Sequence, residues 1–399
     1  MKKIKFAIAI PTYNRIDKLK KTLNSVFSQK ISEKFELSVV ISNSASTDGT
    51  YEYLKKIKNK NFFIYNRKEI IDKNQISQFV NFDNLAKTIP ENIDWVWWIG
   101  DDDHFASSDS IEYVVQKIIK YKNSKINFIH ACQAQRFSGK SEDFEDTLYN
   151  LCNEFGYHEL LGWMSSIILR KDVMRYTLNE CSKNKKRLSN NKNELPSAFS
   201  HSAAIFKKCF NQKALLLDHP LIDPQDLIQT EETKSRWAYE SVGPRYMRVI
   251  DDLLEFQALG LINKCSSNFL RYLNYKLWDH LAVFITSNLL DYGKKISVSN
   301  ESINQAYIDS IQKDWIKLSE LGKILESTYD IKQLGLIFQA GLNYSMLYIN
   351  SRFNKIIGEE FIVKFKSLIG TPSHSFKLTE KEMSQDFSVE TLQQKSNLN

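Results

Sequence analysis

The strongest constraint in this chain is a run of apolar segments that each stop dead at a polar loop. Phe6-Ala7-Ile8-Ala9-Ile10 ends at Pro11, Leu37 to Ile41 ends at Ser42-Asn43-Ser44, and Trp95 to Ile99 ends at Gly100-Asp101-Asp102-Asp103. A short, nearly unbroken apolar run reads as a strand buried on both faces. Between the first two, Leu19, Leu23, Val26 and Phe27 recur at helical spacing; Tyr51, Leu54 and Ile57 do the same before a further strand at Phe62 to Tyr65. The alternation is β-α-β-α-β, which predicts an α/β fold with a mostly parallel sheet flanked by helices. In such a sheet the ligand lies beyond the carboxyl ends of the strands, so loops 11–15, 42–48 and 100–104 are expected on one rim. A helix (Ile111 to Tyr121) and strands at Ile126 to Ala131 and Trp163 to Leu169 extend the pattern.

At 399 residues the chain exceeds one ordinary core, so a second region is expected. After Gly243-Pro244 no proline appears until Pro372, and Met247, Ile250, Leu253 and Leu254, then Phe269, Leu273, Leu277, Leu281 and Phe284, then Ile303 to Leu318 carry helical periodicity. This predicts an α/β domain over 1–242, an all-helical domain over 243–372 and a disordered tail over 373–399. The net charge of +7 comes from 54 basic against 47 acidic residues spread along the chain, which argues against nucleic acid as a partner. KNKKRLSNNK at 183–192 reads as a mobile basic loop able to meet an anionic membrane face. Five widely spaced cysteines without a C-x-x-C pair indicate neither disulfides nor zinc and fit a reducing cytosol. The apolar run near the N-terminus is too short for a signal peptide, and no 18-residue apolar stretch occurs, so a cytoplasmic protein is expected.

Three consecutive carboxylates at the end of an aromatic strand repel one another unless a cation or a set of donors sits among them. A divalent ion held by oxygen ligands, Mg²⁺ or Mn²⁺, answers that need. A solvated turn that caps the next helix through Ser107 or Asp109 answers it as well, and the triplet alone does not choose between the two.

Taken in order, Ile10-Pro11-Thr12-Tyr13-Asn14-Arg15, Asn43-Ser44-Ala45-Ser46-Thr47-Asp48-Gly49-Thr50 and Gly100-Asp101-Asp102-Asp103 resemble the N-terminal motifs of glycosyltransferase family 2, which has a GT-A fold. The resemblance is strong over about 4–110 and weaker to about 225. It implies that Pro11, Thr12, Tyr13 and Arg15 lie against nucleotide and phosphates, that Asn43, Ser44 and Asp48 contact base and ribose, and that Asp101 touches nucleotide or sugar. It implies Asp102 and Asp103 as the ligands of a Mn²⁺ or Mg²⁺ cofactor, with Asp103 also a catalytic candidate. Asn43 departs from the usual Asp; its amide oxygen can still accept from the N3–H of uracil, so a UDP-sugar donor is expected. Gly100 stands where many relatives have Asp.

The acceptor side departs further. The family's acidic pair, counted back from Ala214-Leu215-Leu216-Leu217, falls on Phe199-Ser200-His201-Ser202, so His201 takes the place of the catalytic base, able to act without a pKa shift. Glu194 and Asp218 are alternatives that also read as surface charges, and His219 reads as a turn residue or a third metal ligand. Trp163 and Ser165 resemble the segment lining the sugar and acceptor pocket. The expectation is an inverting, metal-dependent transferase acting from a nucleotide sugar on a glycan or lipid-linked acceptor in cell-surface polysaccharide synthesis. Its helical region would support the acceptor, form a homo-oligomer interface or rest on the cytoplasmic membrane face. A degenerate transferase domain acting as a scaffold and a nucleotidyltransferase are the competing classes, although Pro11-Thr12-Tyr13-Asn14 is not the Gly-rich loop the latter needs.

Overall fold

A computed structural model describes residues 2–68, 77–134, 139–183, 197–224 and 248–262, with Phe269, 271–272 and 275–276. The chain divides into two compact units, Met1–Thr233 and Lys234–Asn399.

The first unit is built on a nine-stranded sheet. Its elements are β1 (Ile4–Thr12), α1 (Ile16–Phe27), β2 (Phe35–Asn43), α2 (Thr50–Leu54), β3 (Phe62–Asn66), α3 (Ser77–Thr88), β4 (Trp95–Trp98), β5 (Asp103–Phe105), α4 (Ser110–Lys120), β6 (Phe128–Gln133), β7 (Asp143–Thr147), α5 (Leu148–Phe155), α6 (Tyr157–Leu161), β8 (Ile167–Arg170), α7 (Lys171–Lys183), α8 (Ser200–Cys209) and β9 (Lys213–Pro224). The strand order is β3-β2-β1-β4-β8-β6-β9-β5, with β7 also on β9.

Strand β1 shows why the sequence folds this way. Phe6, Ile8 and Ile10 join Leu19, Leu23 and Val26 of α1 and Ile111, Val114, Val115 and Ile118 of α4 in one apolar cluster. Ala7 and Ala9 are fully buried too, so both faces of the strand are covered, and the small side chains leave room for a close-packed helix. The aromatic strand β4 divides likewise. Trp97 meets Phe6 and Phe105 edge-on at centroid distances of 6.4 and 4.9 Å, while Trp98 meets Phe82 of α3 at 4.8 Å. Both tryptophans are fully buried, and truncating either to Ala costs about 3–5 kcal/mol.

The half formed by β3, β2, β1 and β4 is parallel, as expected. The other half is mixed: β8 runs antiparallel between β4 and β6, and β5 and β7 pair antiparallel with β9. The single strand expected over Trp163 to Leu169 is corrected to a 3-10 turn at Met164–Ser166 followed by β8. Ser165 turns its hydroxyl and carbonyl to β4 and its loop instead of to a ladder, and those tertiary bonds override strand propensity.

In the second unit, helix α9 (Val249–Ala258) buries Val249, Leu253 and Phe256 at helical spacing. The expectation of an all-helical region is corrected at β10 (Arg271–Tyr272) and β11 (Tyr275–Lys276), a short antiparallel pair where periodicity through Leu273 predicted helix. The remaining helical expectations, the tail, Glu194 and 184–192 lie outside the described residues. Among the described residues no helix is long and apolar enough to cross a membrane.

Candidate functional site

The carboxyl ends of β1, β2 and β3 stand side by side, with Thr12, Asn43 and Asn66 in register across three strands. The loops that follow β1 and β2 hold each other. Asn14 N–H donates to Ser46 Oγ (2.8 Å), Thr47 N–H donates to Asn14 Oδ1 (2.7 Å), and Ser44 N–H donates to Thr12 O (3.0 Å). Asp48 accepts from Ile16 N–H (2.8 Å) at the start of α1 and from Thr50 Oγ1 (2.5 Å) and N–H (3.2 Å) at the start of α2. Burial pulls its pKa up, but the bonds from Thr50 and Ile16 outweigh that and hold it below the usual carboxylate range. Asp48 is thus a clamp on two helix N-termini, broader than the cap on one helix that its position suggested. Asn14 (φ 50°), Ala45 (φ 58°) and Gly49 (φ 86°) take left-handed backbone to make these turns. Tyr13 stands 44% exposed at the loop tip, while Pro11 lies within β1.

The acidic loop meets the first loop at Arg15. Its Nη1 donates to Asp102 Oδ2 at 2.6 Å and Asp101 Oδ1 at 3.1 Å, and Thr12 Oγ1 donates to Asp101 Oδ2 at 2.7 Å. Asp101 is buried, and desolvation raises its pKa despite the adjacent guanidinium. Asp103 turns away from Arg15: its Oδ2 accepts from the Ser165 hydroxyl and from Trp163 Nε1 (3.3 Å). Burial pushes Asp103 up to about 7, the Ser165 bond opposing. Ser165 is a junction: its Oγ also accepts from Gly100 N–H (2.8 Å) and its carbonyl from Trp97 Nε1 (2.8 Å). A Cβ at Gly100 would lie 2.9 Å from Asp103 Oδ2 and 3.0 Å from Asp102 Oδ1, so a side chain there would displace both carboxylates. The three expected loops therefore do share one rim.

The carboxylate cluster can be tested for its fit to a cation. Arg15 bonds two of the three neighbouring carboxylates, and Asp103 is buried with no cationic side chain bonded to it among the described residues. A divalent ion would supply that charge. Among the described residues no three metal-ligating side chains converge, so the protein would offer such an ion at most one or two carboxylates. That ligand count suits Mg²⁺ or Mn²⁺, which completes its shell with water and substrate phosphate.

His201 sits in α8, 3% exposed, with its ring edge-on to Trp98 (5.5 Å) and tilted against Phe199 (6.1 Å). Desolvation lowers its pKa to about 4, the carbonyls of Leu161 and Gly162 opposing, which corrects the expectation of an unshifted imidazole. Its Nε2 has no hydrogen-bond partner among the described residues. Asp218 is buried and accepts from the Lys140 and Ser141 amides at 3.2 Å, so it is no surface charge. His219 stacks on Tyr113 at 4.3 Å.

Asn66 and Arg67 escaped the sequence reading. Asn43 is fully buried and engaged with the first of them: Ser46 Oγ donates to its Oδ1 (2.5 Å), and its Nδ2 donates to Asn66 Oδ1 (2.6 Å). Arg67, whose N–H donates to Asn43 O at 3.0 Å, has a buried Nη1 without an acceptor among the described residues. Asn66-Arg67 follows an apolar run just as Asn43-Ser44 does, and that shared position at a strand end was the available signal. Gln133, at the end of β6, donates through Nε2 to Ser166 Oγ at 3.2 Å.

Compared with known proteins, residues 7–208 match the family described as glycosyl transferase family 2. Abequosyltransferase RfbV of Salmonella typhimurium is 37% identical over 102 residues, an alignment that spans 25% of this chain and 28% of that protein. Among solved structures, S. aureus TarS 1–349 in complex with UDP aligns at 14% identity over 90% of this chain and 92% of that one, with a TM-score of 0.49. The mannosyltransferase PcManGT from Pyrobaculum calidifontis in complex with GDP-Man and Mn²⁺ aligns at 13% identity over 87% of each chain, with a TM-score of 0.44.

Proposed function

Since this chain belongs to glycosyltransferase family 2, with a GT-A-like mixed sheet in its first unit, we propose that this unit moves a sugar, with inversion, from a nucleoside diphosphate donor to an acceptor hydroxyl. The observation that carries this reading is the meeting of Thr12, Arg15, Asp101 and Asp102 where three strand-end loops converge. Arg15 would turn from these carboxylates to the diphosphate, and charge-assisted bonds of this kind favour a leaving group that gains negative charge in the transition state. Tyr13, exposed beside it, offers a ring to the nucleotide, and Pro11, Ser44 and the Asp48-clamped loop shape the floor beneath. Asp102 and Asp103 would hold Mn²⁺ or Mg²⁺, which when bound supplies positive charge to the diphosphate. Trp163 and Ser165 fix Asp103 and border the sugar side.

At neutral pH His201 is an unprotonated imidazole with an open Nε2 among the described residues, the state a base needs, although a pKa near 4 makes it a weak one. The acceptor in this reading is a glycan or lipid-linked chain of capsule or lipopolysaccharide type, met at the cytoplasmic membrane face, with the second unit as acceptor support or oligomer contact. Release of nucleoside diphosphate from nucleotide sugars with Mn²⁺, lost in Asp102→Ala, is the expected result. An absence of binding across a panel of nucleotide sugars would leave the scaffold reading, which the Arg15 latch on its own carboxylates and the buried His201 favour.

A further inference from the structure

The segment that grips Asp103 is itself gripped from outside. Helix α6 has only five residues and ends at Leu161, so its last carbonyls have no partner within it. Side chains from distant elements take them up instead. His130 of β6 lies 3.0 Å through Nδ1 from Leu160 O, and a nitrogen facing a carbonyl is the one that carries the hydrogen. Ser202 of α8 donates through Oγ to Leu161 O at 2.6 Å, and the His201 ring beside it meets the carbonyls of Leu161 and Gly162. His130, Ser202 and both leucines are buried, so bulk water does not compete for these bonds. Gly162 closes the set: its N–H donates to His158 O at 2.8 Å, and a Cβ there would lie 2.5 Å from that same oxygen.

These bonds stand immediately before the contacts that hold Asp103. Trp163 follows Gly162 and Ser165 comes two residues later, and their Nε1 and Oγ are the donors to Asp103 Oδ2. Between α6 and β8 the chain forms only a 3-10 turn. Its far end is fixed at Ser165 by Trp97 Nε1 and Gly100 N–H, and its near end, where Trp163 leaves, by the donors on the carbonyls of 160–162. A carboxylate that ligates a metal tolerates little displacement, and removing a group that orients a ligand typically costs about 10–100-fold in metal affinity.

We propose that Ser202 and His130 are positioning residues: by holding Leu161 and Leu160 they set Trp163 and Ser165 against Asp103 and so tune the metal site from outside it. This rests on the reading of Asp103 as a metal ligand, and the test separates the two. In titration calorimetry of the full chain with Mn²⁺, alone and with UDP present, Ser202→Ala should weaken Mn²⁺ binding about tenfold. His130→Phe, which keeps a ring and loses the donor, should do the same and keeps the proposal open to refutation if Ser202→Ala does not fold. Ser200→Ala is the matched comparison, because Ser200 Oγ donates to Ser197 O at 2.5 Å, a buried bond of the same helix that does not reach the segment. It should lower the melting temperature and leave Mn²⁺ affinity within about twofold. In an Asp103→Asn background the effect of Ser202→Ala on Mn²⁺ should vanish. An unchanged affinity in Ser202→Ala, an equal loss in Ser200→Ala, or a loss that persists at full size beside Asp103→Asn would overturn the positioning role and leave the metal site standing. An unaltered chain that binds no Mn²⁺, or an Asp103→Asn variant that binds it as tightly as the unaltered chain, would overturn the ligand reading as well. If Asp103→Asn binds none, the two serine variants decide the matter between them.

Discussion

Two buried titratable residues set opposite pH trends at this site. His201 has its pKa lowered to about 4, so the unfolded chain binds more protons between about 4 and 6.5; its contribution is full above 6.5 and is lost as pH falls towards 4. Asp103 is raised to about 7 from 3.8, so its contribution is present at low pH and is lost as pH rises through 7. His201 is worth up to about 3 kcal/mol and Asp103 up to about 4 kcal/mol. In metal-free protein, His201→Phe should therefore leave a stability that declines from pH 4 to 7, and Asp103→Asn one that rises over the same window, as read by urea melts. Gly100→Ala should push Asp102 and Asp103 apart and weaken Mn²⁺ affinity by at least tenfold in titration calorimetry, with a smaller change in melting temperature. A wild-type metal affinity in that variant would refute the close-approach argument. The carboxylates and Arg15 were legible beforehand because they sit at the ends of apolar runs. The direction of the Asn43 amide and the junction at Ser165 were not, since each depends on partners remote in sequence: Asn66, and Gly100 with Asp103.

Among the elements, the loops after β1 and β2 are held by clamps and turns. Asp48→Ala removes acceptors from the first turns of α1 and α2 and should cost about 1–2 kcal/mol by chemical denaturation. Ala45 holds φ 58° with a Cβ, so Ala45→Gly should stabilise by roughly 1 kcal/mol; a destabilised variant would show that the methyl packs usefully. The parallel half of the sheet could be read from sequence because five-residue apolar runs separated by helical repeats admit little else. The mixed half could not. A strand buried on both faces, such as Ile167–Arg170, has the same pattern whichever way it runs, and the acidic Asp143–Thr147 strand gains its place from tertiary partners, β9 and the lysines that bond Asp143. The short β5 hides within the acidic loop for the same reason.

For the molecule as a whole, the +7 charge is spread too widely to define a partner, and the rim itself is acidic. An anionic diphosphate approaching it gains from Mn²⁺, so nucleotide and metal should stabilise each other. Each nucleotide at 100 times its Kd raises stability by about 2.7 kcal/mol, and thermal melts should show a larger shift with both ligands than the sum of the two alone; simple additivity would speak against a shared site. The pairing of Asp103 with Pro224 adds a consequence in time. The ribosome delivers β5 well before β9, so in the emerging chain β5 has no partner strand until β9 leaves the exit tunnel. Nucleotide competence is then a late event in synthesis, and a chain arrested before Lys213 should remain blind to a donor that the finished unit captures.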